Sequence, residues 1–372
     1  MSSELESDIA LKSSTKNNSN EKIFSGAIYI FHAFDVGDDI NINKIASLPE
    51  IITQPLNLPR YFKHHGLPLK IELPHPNNSA ACDSVKIHTF GTISLTYKIP
   101  FQDTLQNIRK DLTHIDNKFQ EQSIIDTGSI IKKIKTCIKK PNFFHTKSSY
   151  VAIQLDQKAD LSAATLKKEF SGTIASILRF ENEQLSEYQR NHILNDEIGN
   201  FKGDLIVVDT EAAFIYDPDY INILNFFEFA NIQQLELHYF DRLLDKQLKL
   251  IYEEQTIKVP MSAYIPFVGS RINSPIDELG RLKVDISVIT EQLENSIRLA
   301  GEPFYFELYQ LIVKKMDLEK WKASIQTKLE IIHEIRSQLQ HKIDTARGDM
   351  LEVLIIILIF IELILGIIAH FK

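Results

Sequence analysis

Two acidic residues on a predicted helix come nearest to a catalytic or metal-binding pattern. In LELHYFDRLLDKQL, residues 235–248, Asp241 and Asp245 are four positions apart, and Arg242 follows the first. Residues four apart lie on one face of a helix, so the two carboxylates could share a proton or hold a metal ion. The sequence nearby has neither a His pair nor a Gly-rich loop. We therefore predict a structural polar cluster that pairs with Lys or Arg elsewhere, with an acidic enzyme site as the alternative.

Cysteine and histidine side chains offer a second candidate chemistry. Cys82 could join His64, His65, His75 and His88 around a zinc ion. Their spacing matches no standard zinc finger, and the segment is rich in Pro and Asn. An ordinary polar loop is the preferred interpretation, and we predict no metal site.

The motifs of common enzyme classes are missing from the sequence. It contains no phosphate loop, no GxGxxG after a predicted strand, no HExxH and no GxSxG. We therefore expect a non-enzymatic protein without a cofactor. The formal net charge of -8 argues against direct nucleic-acid binding, and the lysine run between residues 132 and 140 is interpreted as a solvated helix face.

A long apolar segment near the C-terminus predicts a membrane-spanning helix. Residues 350–369 read MLEVLIIILIFIELILGIIA, and from Val353 to Ala369 the only ionisable residue is Glu362. About 20 helical residues match the thickness of a hydrocarbon core. A buried core helix usually shows a polar face, which this segment lacks. We therefore expect these residues to contact the lipid bilayer.

The residues on either side of the span predict its orientation. Arg336, Lys342 and Arg347 precede it, and His370 and Lys372 follow it. Positive charge favours the cytosolic side of a membrane. We predict a tail-anchored, single-pass membrane protein whose N-terminal body faces the cytosol, or the matrix if the membrane is mitochondrial.

Two glutamates interrupt the apolar span. Glu362 is near its middle, where a carboxylate is unfavourable, and Glu352 is ten residues earlier, nearer the interface. At roughly 100° per residue they share one broad side of the helix. We predict either a polar contact between the anchor helices of neighbouring protomers or a tolerated, protonated Glu362.

A helical stalk is predicted between residues 276 and 345. Residues 276–299 carry apolar side chains at steps of three and four, and a second stripe runs from Leu318 to Ile343 after a Gly-Glu-Pro break. The short break favours an antiparallel hairpin whose second helix overhangs the first. An exposed apolar seam is unfavourable in water, so we predict that self-association, or else the body, covers it. The seam residues are Leu329, Ile332, Ile335, Leu339 and Ile343.

The preceding residues predict a mixed α and β body. Residues 1–22 are polar and are expected to form a disordered tail rather than a targeting signal. Residues 23–255 mix both element types without a regular βαβ repeat, which predicts an α+β fold ending in a long helix from about 219 to 254. Strands are predicted at 24–34, 85–99, 149–155 and 204–216, and helices at 41–48, 101–119, 124–139, 161–170 and 181–197.

Three stretches resemble the "required for meiotic nuclear division" family, which includes the Sad1-interacting factor and bacterial and mitochondrial members. They are LELHYFDRLLDKQL, MDLEKWKASIQTKLEIIHEIRSQLQ and LEVLIIILIFIELILGI. The terminal helix of that family is similar in carrying two Glu about ten residues apart, as Glu352 and Glu362 are here. Family members often have a Trp where this chain has Val353. The resemblance implies a large membrane assembly that supports translation, with no established catalytic activity or cofactor.

Together the residues and the resemblance predict a C-terminally membrane-anchored, non-catalytic, oligomeric scaffold or adaptor. Its expected partners are the lipid bilayer, further copies of itself, and a soluble or ribosome-associated protein. The bacterial inner membrane is the expected location and a mitochondrial membrane the alternative. The alternative function is a membrane-bound enzyme with an acidic, metal-binding site near Asp241 and Asp245.

Overall fold

The computed structural model describes residues 22–37, 39–56, 68–73, 81–143, 146–253 and 302–370. The chain divides into two compact units. The first comprises residues 1–239 with 286–320, and the second comprises residues 240–285 with 321–372.

The described part of the first unit contains ten strands. They are β1 (Phe24–Asp35), β2 (Asp39–Ile40), β3 (Leu69–Ile71), β4 (Cys82–Ile87), β5 (Thr92–Asp103), β6 (Ile138–Lys139), β7 (Lys147–Leu155), β8 (Glu197–Ile198), β9 (Leu205–Val208) and β10 (Ala212–Tyr216). Eight of them form one sheet in the order β3-β4-β5-β1-β7-β10-β9-β8, and β2 pairs with β6. Neighbouring strands of the large sheet are antiparallel, except that β7 and β10 are parallel.

Seven α-helices lie within the described residues. They are α1 (Ile42–Ala46), α2 (Leu105–Ile134), α3 (Ala163–Leu178), α4 (Glu187–Leu194), α5 (Tyr220–Glu253), α6 (Pro303–Lys315) and α7 (Leu318–His370). Side-chain caps mark the start of four of them, α1 to α4, because the first backbone N–H groups of a helix lack partners within it. The Thr104 side chain accepts a hydrogen bond from the Asn107 N–H at the start of α2, and Ser162 caps α3 in the same way.

Side-chain alternation along the two longest strands builds the core of the body. Strands β1 and β5 pair over all 12 residues of each. Ile28 of β1, Leu95 of β5 and Leu112 of α2 belong to one buried apolar cluster. Burying a side chain of this size stabilises the fold by about 1.5–3 kcal/mol. The prediction of a mixed α and β body is confirmed, and the long helix predicted at its end is α5.

Strand β5 extends further than predicted. The sequence predicts a strand ending at residue 99 and a helix at 101–119, but β5 continues through Pro100 to Asp103 and α2 begins at Leu105. Proline lacks an N–H and is therefore tolerated in a strand only where one side needs no partner. At Pro100 the strand pairs with Ala27 of β1, whereas its pairing with β4 stops earlier.

The helices predicted at 101–119 and 124–139 are one helix, α2. Residues 120–123 contain neither Gly nor Pro, so no backbone feature ends the helix there. The chain leaves α2 through a short 3-10 turn at Lys135–Cys137, and β6 follows.

The predicted stalk lies only partly within the described residues. Its first helix, residues 276–299, is outside them. The helix predicted from residue 304 onward is divided into α6 and α7 at Asp317, whose φ of 55° lies in the left-handed region that ends helices. Pro303, the last residue of the Gly-Glu-Pro break, occupies the first turn of α6. A coiled coil between hairpin arms stays a prediction.

Candidate functional site

A polar surface of the large sheet lies beneath α5. Along β5, Ile93 and Leu95 join the apolar core, whereas Thr92 and Ser94 point to the opposite face. Side chains from β4, its following turn and α5 complete this polar layer. We call it the polar interface and define it as Lys86, His88, Thr92, Ser94, Glu228, Asn231 and Glu236.

Glu228 is held by a buried ion pair. The Lys86 ammonium donates a hydrogen bond to Oε2 of Glu228 at 2.5 Å, and the Ser94 hydroxyl donates to Oε1 at 2.8 Å. The side chains of Lys86 and Glu228 are 11% and 6% exposed. Burial opposes the charged form of Glu228, but the nearby Lys86 charge and these hydrogen bonds keep its pKa below the usual value. Glu228 is therefore ionised at neutral pH.

Glu236 lies two turns further along α5 in a different environment. The Thr92 hydroxyl donates a hydrogen bond to Oε1 of Glu236 at 2.5 Å. Burial, reinforced by the negative charge of Asp35, raises the pKa of Glu236 to about 8. At pH 7 this carboxyl is therefore mostly protonated.

Two buried side chains of the polar interface retain unused hydrogen-bonding capacity. Nε2 of His88 and both amide atoms of Asn231 make no hydrogen bond within the described residues. Burial lowers the pKa of His88 to about 4, so its imidazole is neutral at pH 7. Most buried polar atoms in folded proteins do have a partner, so such groups mark strained or functional regions.

The polar interface makes the packing of α5 against the sheet depend on protonation. At neutral pH it combines an ion pair, a neutral carboxyl and a neutral imidazole. The charged groups of the ion pair are already bound to each other and to Ser94. Each of these side chains is buried or half-buried.

A second polar cluster occupies the other face of the sheet. The Tyr97 hydroxyl donates to Oδ2 of Asp126 at 2.8 Å, and the Gln122 amide donates to Oδ1 at 2.8 Å. Burial raises the pKa of Asp126. Burial and the nearby Asp126 raise the pKa of the Cys82 thiol to about 12. Cys82 therefore stays a thiol at neutral pH and is a poor nucleophile.

The sheet separates the two described members of the predicted zinc set. Cys82 pairs in register with Tyr97 and packs against the apolar core. His88 belongs to the polar interface on the opposite face. The remaining candidates, His64, His65 and His75, lie outside the described residues. No group of three or more His, Cys, Asp or Glu within the described ranges has the geometry to hold a metal ion.

The predicted polar cluster on α5 contacts a lysine within the second unit. The Lys328 ammonium lies 2.7 Å from Oδ1 of Asp241 and 2.6 Å from Oδ1 of Asp245. The Ser324 hydroxyl also donates to Asp241 at 3.0 Å. Arg242 is exposed. A basic side chain from α7 thus neutralises both carboxylates, which is the kind of pairing expected of a structural cluster.

The stalk seam is partly covered within one chain. Ile332 and Ile343 are buried, and Leu329 and Ile335 are half-buried. The side chain of Leu339 lies outside the described residues. A second chain along this seam is predicted because exposed apolar surface is unfavourable in water. Ile332 and Ile343 are already buried within one chain, so they need no such cover.

The apolar end of α7, residues 350–369, is exposed, unlike the buried part of the stalk seam. Within the described residues, one helical segment, His341–Ala369 of α7, is long and apolar enough to cross a membrane. From Met350 to Ile368 its large apolar side chains are exposed, from 38% at Leu351 to 65% at Ile356, whereas Ile343 near its start is buried. Glu352 and Glu362 are exposed on the same segment. These residues fit a single-pass membrane protein.

The large sheet is also the part of the chain that matches a known family. Residues 25–221, from β1 to the first turn of α5, match the family described as "Uncharacterized protein MJ0711, N-terminal domain". The match covers more than half of the chain. The chain belongs to this family. The family description names no function, and it mentions neither meiotic division nor Sad1.

A curated relative agrees with the family match. The uncharacterized protein MJ0711 of Methanocaldococcus jannaschii is 25% identical over 201 residues, which make up 54% of this chain. The matched region spans only 60% of the length of that relative. No solved structure matches the chain.

The polar interface was not predicted from the sequence. Its β4 and β5 residues lie inside the region matched to the MJ0711 N-terminal domain family, whereas Glu228 and Glu236 follow that region. The alternation of Thr92, Ser94 and Thr96 with apolar residues was the available signal. It predicts one polar side of a strand but not the helix that covers it.

Proposed function

We propose that this chain is a membrane-anchored, non-catalytic scaffold or adaptor whose α/β body is tethered to a bilayer by residues 350–369. The observation that supports this most strongly is the exposed apolar end of α7. Transfer of each large apolar side chain from water is worth about 1.5–3 kcal/mol. A segment of this length therefore gains far more from lipid than the cost of inserting one or two glutamates.

The orientation follows from the charges next to the segment. Arg336, Lys342 and Arg347 precede it on α7. Basic residues are retained on the cytosolic side, so the body faces the cytosol. The resemblance to bacterial and mitochondrial proteins favours the bacterial inner membrane, with a mitochondrial membrane as the second location.

The scaffold role is supported by how the polar groups of both units are paired. Lys86 neutralises Glu228, Lys328 neutralises Asp241 and Asp245, and Cys82 stays protonated. A soluble protein near the bilayer is the proposed partner, and the resemblance suggests one associated with ribosomes. The net charge of -8 disfavours direct nucleic-acid binding.

Protease digestion of oriented membrane vesicles tests the anchoring and the orientation. The full chain should be digested at its body when the cytosolic face is outside and protected when that face is inside. Digestion in both orientations, or in neither, would contradict the proposal. Gentle detergent extraction, followed by identification of co-purifying proteins, then tests the adaptor role.

The enzyme alternative at Asp241 and Asp245 has its own test. The double change Asp241→Asn and Asp245→Asn should leave partner binding intact in a scaffold that remains folded. An enzyme using these carboxylates would lose activity without losing its folded structure. Lys328 already binds both carboxylates, which disfavours this alternative.

A further inference from the structure

The polar and small residues of the apolar segment lie on one side of α7. Within residues 350–369, the only residues that are not large and apolar are Glu352, Glu362, Gly366 and Ala369. At roughly 100° per residue, these four fall within an arc of about 100°. The rest of the circumference is formed by Ile, Leu, Val, Phe and Met.

The spacing on this side follows the pattern of two packed helices. Beginning at Gly348, steps of four and three alternate without interruption as far as Ala369. Alternating steps of three and four place a continuous seam along one helix that can pack against the same seam of another. We call these residues the membrane seam: Gly348, Glu352, Ile355, Ile359, Glu362, Gly366 and Ala369.

Nothing else in the described part of the chain covers the membrane seam. Ile355 and Ile359 are 55% and 58% exposed. The carboxyl groups of Glu352 and Glu362 are exposed. Apart from its chain neighbours and the adjacent backbone of α7 itself, no atom of the described residues lies within 4 Å of where a Cβ on Gly366 would be. The seam is therefore available to another molecule.

We propose that the membrane seam binds the same seam of a second copy of this chain as a parallel pair of helices. The inference rests on the proposed membrane anchoring. Copies inserted in one orientation run parallel, so Glu362 of one chain meets Glu362 of the other at the same depth. The contact is thus self-complementary along its length.

The carboxyl of Glu362 determines the choice of partner. Lipid chains offer no hydrogen-bond acceptor in the hydrocarbon region. A protonated Glu362 can donate to the carboxyl of the second copy and accept from it in return, which satisfies both groups. A single polar residue in such a seam also fixes the register of the two helices.

The small residues beyond Glu362 allow the helices to approach closely. Gly366 and Ala369 leave room for backbone contact, and small residues are typical of helix interfaces in membranes. Large side chains cover the opposite side, which suits lipid. Binding of lipid alone would leave Glu362 without a hydrogen-bond partner.

Disulfide crosslinking of the full chain in native membranes tests the seam. Ile355→Cys and Ile359→Cys place thiols on the seam, whereas the matched controls Ile357→Cys and Ile361→Cys place them on the far side of α7. Mild oxidation should give a disulfide-linked dimer several-fold more often for the first pair. The unsubstituted chain measures any background from Cys82 and Cys137.

Changes at Glu362 and Gly366 test the proposed contacts separately. In the Ile359→Cys background, Glu362→Leu should lower the crosslinked fraction about threefold to tenfold, whereas Glu362→Gln, which keeps a donor and an acceptor, should lower it less. Gly366→Ile should also reduce it, and Leu354→Ile, on the far side of α7, should not.

Alkaline extraction of the same membranes separates the two possible failures. A chain that stays in the membrane pellet but shows equal or no crosslinking at all four positions would overturn the seam and leave the anchoring intact. A chain released from the membrane would overturn the proposed function itself. Crosslinking that is strong at the seam but unchanged by Glu362→Leu and Gly366→Ile would also contradict the proposed contact.

Discussion

Glu228 and Glu236 are two turns apart on α5, yet their surroundings give them opposite charge states at neutral pH. Lys86 keeps the pKa of Glu228 low, whereas burial near Asp35 raises the pKa of Glu236 to about 8. The type of residue is the same in both cases, so only the neighbouring side chains from the sheet distinguish them.

Lys86→Met should destabilise the body strongly. The change leaves the carboxylate of Glu228 buried without its cation, and breaking a buried ion pair from one side costs about 3–5 kcal/mol. The free energy of unfolding of the full chain in detergent, measured by urea titration with circular dichroism, reports this loss.

The double variant Lys86→Met with Glu228→Gln provides the control. It removes both charges together and should recover much of the lost stability, because the uncompensated charge is gone. A single variant as stable as the parent chain would show that the ion pair is not buried as described.

Glu236 should make the stability of the body depend on pH. Its pKa is raised from 4.5 to about 8 by folding, so the stabilisation from the bound proton is complete below about pH 4.5 and is lost as pH rises through about 8. His88, with its pKa lowered from 6.5 to about 4, acts in the opposite direction but only below about pH 6.5. Between pH 6.5 and 8, the parent chain should lose about 1.6 kcal/mol of its free energy of unfolding relative to Glu236→Gln. If the free energies of unfolding of the parent chain and of Glu236→Gln change by the same amount across this pH range, the assigned protonation of Glu236 is wrong.

Among the elements, β4 and β5 show what local sequence can predict. Alternation in VKIHTFGTISLTYKI predicts strands on either side of Gly91, and the structure places β4 and β5 there. It does not predict that α5 covers their polar side, because Lys86 and Glu228 are 142 residues apart in the sequence. Such distant pairing is set by the fold of the whole body rather than by local pattern.

Pro100 and Asp317 show how local signals fail in opposite directions. Pro100 is a common helix opener but lies within β5, since its missing N–H needs no partner there. Asp317 carries no strong breaking signal, yet its left-handed backbone separates α6 from α7. Residue type alone therefore predicts two boundaries wrongly: the end of β5 and the division between α6 and α7.

The contact between α5 and α7 predicts unequal effects of two similar changes. Asp241 is 11% exposed and also accepts from Ser324, whereas Asp245 is 58% exposed. Asp241→Asn should lower the free energy of unfolding by about 1–3 kcal/mol, while Asp245→Asn should change it by less than about 0.5 kcal/mol. Thermal unfolding of the two variants in the same detergent compares them, and equal losses would contradict the contacts described for Lys328.

For the whole molecule, the assignment of the body to a family and the prediction of a membrane anchor depend on different observations. The match to the MJ0711 N-terminal domain family covers residues 25–221 and hence the large sheet, but assigns it no function. The apolar segment could be predicted from composition and length alone, because a helix that crosses a hydrocarbon core must be apolar and about 20 residues long. The proposed adaptor role would join the two parts, and co-purification after gentle detergent extraction is the test that identifies its partner.

Alkaline carbonate extraction of membranes that contain the full chain tests the central claim most directly. High pH removes peripheral proteins but leaves proteins with an inserted helix in the membrane pellet. We predict that the chain remains in the pellet and dissolves only with detergent, and that a variant lacking residues 350–369 moves to the supernatant. Release of the full chain by carbonate would contradict the membrane anchor.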